Sequence, residues 1–81
     1  MKTISEYKFQ RLIVSDKIKA DIWEIWFDAG PAGYVEKVGK KYKALDLRKN
    51  LITETEKLVD AKQFVAMNRA NRMGIEIDWK L

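Results

Sequence analysis

The chain has 81 residues, 47% hydrophobic and 35% charged, and its sixteen Lys and Arg against twelve Asp and Glu leave a net charge of +4. A single domain of this size buries only about 60–65% of the surface its unfolded chain exposes. Cysteine and histidine are both absent, which excludes disulfides, thiolate metal sites, cysteine nucleophiles and the usual proton carrier near neutral pH.

No apolar run approaches the about 20 residues that a bilayer-spanning helix needs. The opening MKTISEYKF has no apolar stretch of the kind a secretory signal carries. A cytoplasmic protein without membrane contact is the expectation. The positive charge is local: residues 37–49, KVGKKYKALDLRK, hold Lys37, Lys40, Lys41, Lys43, Arg48 and Lys49 against one carboxylate, Asp46.

Along the chain, Tyr7–Val14 and Ile18–Asp28 read as two strands joined by the polar connection Ser15-Asp16-Lys17. Pairing Val14 with Ile18 sets Arg11 against Asp21, Lys8 against Glu24, and Phe9 against Trp23, combinations that stabilise a ladder. Ala29-Gly30-Pro31-Ala32-Gly33 reads as a loop, since two glycines and a proline suit turns better than ladders. A second hairpin follows: Tyr34–Val38, a Gly39-Lys40 turn and Lys41–Leu47, with Glu36 opposite Lys43 and Tyr34 opposite Leu45. Thr53-Glu54-Thr55-Glu56 has the spacing of a capping box and predicts a helix over Glu54–Met73, closed by Gly74. After it, IEIDWKL alternates, placing Ile75, Ile77, Trp79 and Leu81 on one face and Glu76, Asp78 and Lys80 on the other, a half-buried strand that would close the sheet.

The expected order, β-β-β-β-α-β, is a small antiparallel sheet packed against one helix, a single α+β domain over residues 1–81. A three-stranded sheet followed by a helix is also the outline of the arm-type DNA-binding domains of integrases, to which this order is similar.

The sheet so read is apolar on both sides. One face collects Tyr7, Phe9, Trp23, Ile25, Phe27, Tyr34, Val38 and Leu45, and is expected to carry the helix. The other collects Leu12, Val14, Ile18, Ala20, Ile22, Trp26, Val35, Tyr42 and Ala44. Two accounts fit. A bulge midway along the second strand would swap the faces and fold both sets into one core. Alternatively the second face, centred on Ile22, Trp26, Val35 and Tyr42, is a docking surface.

Among polar groups, the basic hairpin is the most specific signal. Its lysines suit a phosphate backbone and Tyr42 offers a stacking surface; Arg69 and Arg72 extend the set if the helix end lies nearby. Neither GPAG nor VGKK is followed by the Ser/Thr and helix that a phosphate loop requires. Glu54, Glu56 and Asp60 belong to the expected helix start, and the hydroxyls have no histidine to activate them. No catalytic set, metal site, cofactor or small-molecule substrate is implied.

These readings point to a small non-enzymatic binding protein acting by protein–protein recognition, its partner a nucleic-acid-handling protein or a second copy of itself. The alternative is direct nucleic-acid binding by the 37–49 hairpin. Size, lack of cysteine, local charge and aromatic content resemble the general style of phage or mobile-element accessory proteins, which inhibit or adapt host machinery.

Overall fold

The computed structural model describes residues 2–79. Its first departure from the expected order is at Ser5, whose hydroxyl accepts a hydrogen bond from the Lys8 amide at 3.1 Å and so starts a helix. The first strand is therefore only Lys2–Ser5 (β1), and Glu6–Arg11 is a short helix (α1). Phe9 is what α1 delivers: it is fully buried, its ring 5.3 Å from that of Phe27 and 5.5 Å edge-on from that of Trp79. The alternation of Tyr7, Phe9 and Arg11 thus misleads, because a capped turn that buries one phenylalanine is better satisfied than a strand with no neighbour.

Ile13–Lys19 (β2) runs straight through the expected Ser15-Asp16-Lys17 turn. It pairs antiparallel with Ile22–Phe27 (β3) in the register Val14 to Trp26 and Asp16 to Glu24, and the chain reverses at Ala20-Asp21. The next reversal takes two residues, Asp28 and Ala29, with φ of 53° and 62°. Left-handed angles at both positions are what a type I′ hairpin turn demands, and its twist matches that of the flanking strands.

Gly30–Val38 (β4) follows, so the expected 29–33 loop lies largely within a strand. Trp26 pairs with Pro31 and Ile25 with Gly33, leaving Ala32 as an extra residue. This bulge accommodates a proline inside a sheet. It also shifts alternation by one residue. Gly33 is obligatory: a β-carbon there would overlap the carbonyl oxygen of Leu45 and press on Val65 Cγ1 at 2.9 Å.

Lys41–Leu45 (β5) returns from the Gly39-Lys40 turn with the expected pairs Glu36 to Lys43 and Tyr34 to Leu45. Asp46 then organises the next reversal. One carboxylate oxygen accepts the amides of Arg48 and Asn50 at 2.8 and 2.9 Å, and the other accepts Asn50 Nδ2 at 3.4 Å.

The capping box expected at Thr53 is not one. Leu51–Thr55 forms a fifth strand (β6) on the edge of β5, with Thr53 opposite Ala44 and Thr55 opposite Tyr42. Ile52, Thr53 and Thr55 are β-branched and fit a pleated surface better than a helical turn. The helix proper is Leu58–Arg72 (α2); Lys57 stands at its N-cap position with no side-chain bond, and Gly74 at φ 74° ends it as anticipated. Ile75–Asp78 (β7) does not close the main sheet but pairs in parallel with β1, from Lys2 opposite Ile75 to Ser5 opposite Asp78. Lys80 and Leu81, assigned to this strand from the sequence, lie outside the described residues.

The architecture is α+β: an antiparallel sheet in the order β2-β3-β4-β5-β6, helix α2 across one face, and the β1/β7 pair with α1 closing one end. We call the end carrying the Ala20-Asp21 and Gly39-Lys40 turns the tip, and the end beside α1 the foot. Helix α2 runs from tip to foot and lays Ala61, Val65, Ala66 and Ala70 on Ile25, Phe27, Val35 and Ala44, all fully buried. Three alanines bring its backbone close to the sheet. Arg69, which falls inside this apolar arc, donates from Nε to the Phe27 carbonyl at 2.9 Å, and its guanidinium occupies the space beside Gly30 that a β-carbon there would take.

Candidate functional site

The bulge at Ala32 decides which side chains share a face. Through the pairs Trp23 to Val35, Val35 to Ala44 and Ala44 to Thr53, these residues all point toward α2. The four residues expected to form one docking patch are therefore split. Val35 is fully buried in the core and cannot be an interface residue. Tyr42, half-buried, lies on the helix side at the tip, its ring 6.0 Å from that of Trp23. Ile22 and Trp26 are on the opposite, outer face. Tyr34, Val38 and Leu45, assigned to the helix side from the sequence, join them there.

Among the described residues no element packs on that outer face. Besides Ile22 and Val38 nearer the tip, its apolar members are Val14 (55% exposed), Trp26, Tyr34, Leu45 and Leu51 (58% exposed), which are neighbours across the five strands. Trp26 is held in place, its indole Nε1 donating to Glu24 Oε1 at 3.1 Å. That bond satisfies the one polar atom of the ring and fixes the half-buried apolar body on the face.

Charge on this face is mixed. Beside Trp26 lie Asp16 and Glu24, directly opposite each other, a like-charge pair that an isolated sheet does not favour, while Lys19 and Glu36 stand nearer the tip on either side of Ile22. Toward β5 and β6 lie Lys41 and Lys43, with Glu54 opposite Lys43, and Lys49 from the foot loop places its ammonium 5.5 Å from the Tyr34 ring. Sequence reading missed this layout, because it treated residues 37–49 as one basic unit.

The structure breaks that unit apart. Lys37, Lys40 and Lys41 are at the tip, Lys43 is mid-strand on the outer face, and Arg48 and Lys49 are at the foot, the length of β5 away. Arg69 and Arg72 do not join the tip either. Arg69 is tied to Phe27, and Arg72 Nη2 is 3.8 Å from Asp46 Oδ2. Instead, other lysines come to the tip: Lys17 and Lys19 at the end of β2 and Lys57 ahead of α2. Lys17 Nζ stands 5.5 Å from the Trp23 ring centroid and Lys37 Nζ 5.9 Å from that of Tyr42, forming a lysine–tryptophan–tyrosine–lysine strip.

Asp46 is held by its own turn. The Asn50 amide, with further help from Arg48, the Asn50 side chain and Arg72, holds its carboxyl below the ordinary carboxylate value against the opposing effect of burial. Its partners lie within its own turn and α2, so its role is structural. An open cleft of about 470 Å³ is bounded by Ser5, Glu6, Tyr7, Gln10 and Asp78; the Ser5 hydroxyl there is spent on capping α1. Among the described residues no three carboxylates gather as a metal site, and no helix is long and apolar enough to cross a membrane.

Comparison with protein-family models, with curated proteins and with solved structures gives no match.

Proposed function

We propose that this chain is a non-enzymatic binding protein that works by protein–protein recognition through the outer face of its sheet, and that the surface it recognises there is a second copy of itself. The observation that carries the reading is Trp26, pinned by Glu24 on a sheet face that nothing in the described chain covers. Exposed apolar patches of this kind mark interaction sites, and tryptophan is the residue most concentrated at their energetic centres. The mixed charge of the face suits a two-fold pairing. An isologous interface sets each patch against its own copy, so a face that carries Asp16 and Glu24 on β2 and β3 and Lys41 and Lys43 on β5, with Lys19 and Glu54 of opposite sign beside them, offers both members of a charge pair to its copy. Two sheets packing face to face also form one of the common layered arrangements, about 10 Å apart. Pairing would bring lysines to the uncompensated Asp16 and Glu24.

Sedimentation equilibrium tests this. The chain is 9.5 kDa, and a mass of twice that at micromolar concentration is expected, with the Trp26→Ala variant monomeric and its melting temperature little changed. A wild-type chain that stays monomeric at its highest soluble concentration contradicts the reading. So does a Trp26→Ala variant that pairs as well as the wild type.

A further inference from the structure

We infer that the lysine-bearing tip of the sheet is a second, separate site, and that its ligand is a single-stranded nucleic acid. Six lysines stand at this end of the sheet, Lys17 and Lys37 on the helix side with Trp23 and Tyr42, Lys19 and Lys41 at the rim on the outer side, and Lys40 and Lys57 outside the strands. Lys17 and Lys19 come from β2, Lys37 from β4, Lys40 and Lys41 from the following turn and strand, and Lys57 from the approach to α2. The carboxylates at this end are Asp21, Glu36, Glu56 and, in the first turn of α2, Asp60. A net excess of cations at one extremity of a small domain raises the local concentration of anions.

Charge alone would suit any polyanion; the rings narrow the class. Trp23 and Tyr42 are half-buried on the helix side of the sheet, each with a lysine ammonium over it. From Lys17 on β2 to Tyr42 on β5 the strip crosses three inter-strand intervals, about 14 Å. Aromatic rings beside a lysine track are the means by which proteins hold unpaired strands: bases stack on the rings while phosphates meet the ammonium groups. A duplex keeps its bases stacked on one another and offers no free base face to such rings. The foot cations are excluded from the site, since Arg48, Lys49, Arg69 and Arg72 lie at the other end or are engaged by Tyr34, Phe27 and Asp46.

The test is fluorescence anisotropy with a short fluorescein-labelled oligothymidylate. If about five phosphates are engaged, raising salt from about 50 to about 200 mM weakens binding about a hundredfold. Lys17→Glu combined with Lys37→Glu is expected to cut affinity at least tenfold, and Arg48→Glu combined with Lys49→Glu to leave it within about twofold. Tyr42→Leu is expected to weaken the oligonucleotide at least fivefold while leaving inorganic polyphosphate unaffected. Circular dichroism of each variant confirms that the fold is kept. Absence of binding at about 50 mM salt overturns the proposal, as does equal loss from the foot variant. An oligonucleotide that Tyr42→Leu does not weaken, competing no better than polyphosphate, leaves only an unspecific cationic patch and overturns it too. The tip variants do not touch Trp26, so their sedimentation mass reports separately on the sheet-face pairing.

Discussion

At the residue scale, backbone geometry and one carboxylate account for much of what shapes the foot of the sheet. Asp28 and Ala29 both hold left-handed φ values, and Ala29 at 62° does so without the side-chain amide or carboxylate that makes such angles tolerable. The hairpin needs these angles for its twist, so the strain is retained. Ala29→Gly is expected to raise stability by about 0.5–1 kcal/mol in thermal or urea unfolding, the relief of strain exceeding the entropy a glycine adds to the unfolded chain. Asp46 makes a second, pH-dependent statement. Its folded-state pKa lies below its unfolded one, so its contribution is fully present above the ordinary carboxylate value and disappears as pH falls through the lower, folded value. Melting temperatures recorded from neutral pH down to about 2 should fall more steeply for the wild type than for Asp46→Asn, the two curves converging at the acid end. Parallel curves would mean that the turn at 46–50 does not depend on the charge.

At the scale of elements, a single extra residue determines what each face displays. Without the bulge at Ala32, Val35 and Ala44 would face solvent and Tyr34 and Leu45 would face α2; with it, the assignment reverses beyond Gly33. The pairings within the second hairpin are local, and Glu36–Lys43 and Tyr34–Leu45 are legible from charge and spacing alone. The bulge is not, since it depends on how Pro31 is accommodated against Trp26, a contact the sequence does not specify. The helix start was obscured for a related reason. Thr53 and Glu56 have the spacing of a capping box, but Ile52, Thr53 and Thr55 gain more as the edge strand β6 than as a first turn, and the long-range partner, β5, decides. The true N-cap, Lys57, has backbone angles of −125° and 140° and no capping bond. Lys57→Ser is therefore expected to stabilise the fold by about 0.5–1 kcal/mol in thermal unfolding, a gain that would be absent if the helix began at Glu54. The α+β class, the covering helix, the Gly74 cap and the excess of apolar surface were all readable. Of the four residues expected to share one face, Ile22 and Trp26 stand on the outer face and Val35 and Tyr42 on the helix side.

At the scale of the molecule, apolar surface and charge are sorted into three regions. The helix side of the sheet carries the core; the outer side is a face of mixed charge around Trp26; the tip gathers lysines with Trp23 and Tyr42. A domain of this size, without disulfide or metal, gains little stability from one small core. In the pair, both tips would be available to one strand, and joining two modest sites in this way strengthens attachment without new contacts. Removing Trp26 should show which region a tryptophan serves. A buried core aromatic truncated to alanine costs about 3–5 kcal/mol of folding stability, whereas an interface anchor costs about 2 kcal/mol or more of association, about thirtyfold in Kd. The decisive measurement is the sedimentation mass of wild-type and Trp26→Ala chains across the micromolar range, each with its melting curve. The account predicts a wild-type pair and a folded Trp26→Ala monomer; a wild-type monomer, or a Trp26→Ala chain that unfolds instead of separating, would contradict it.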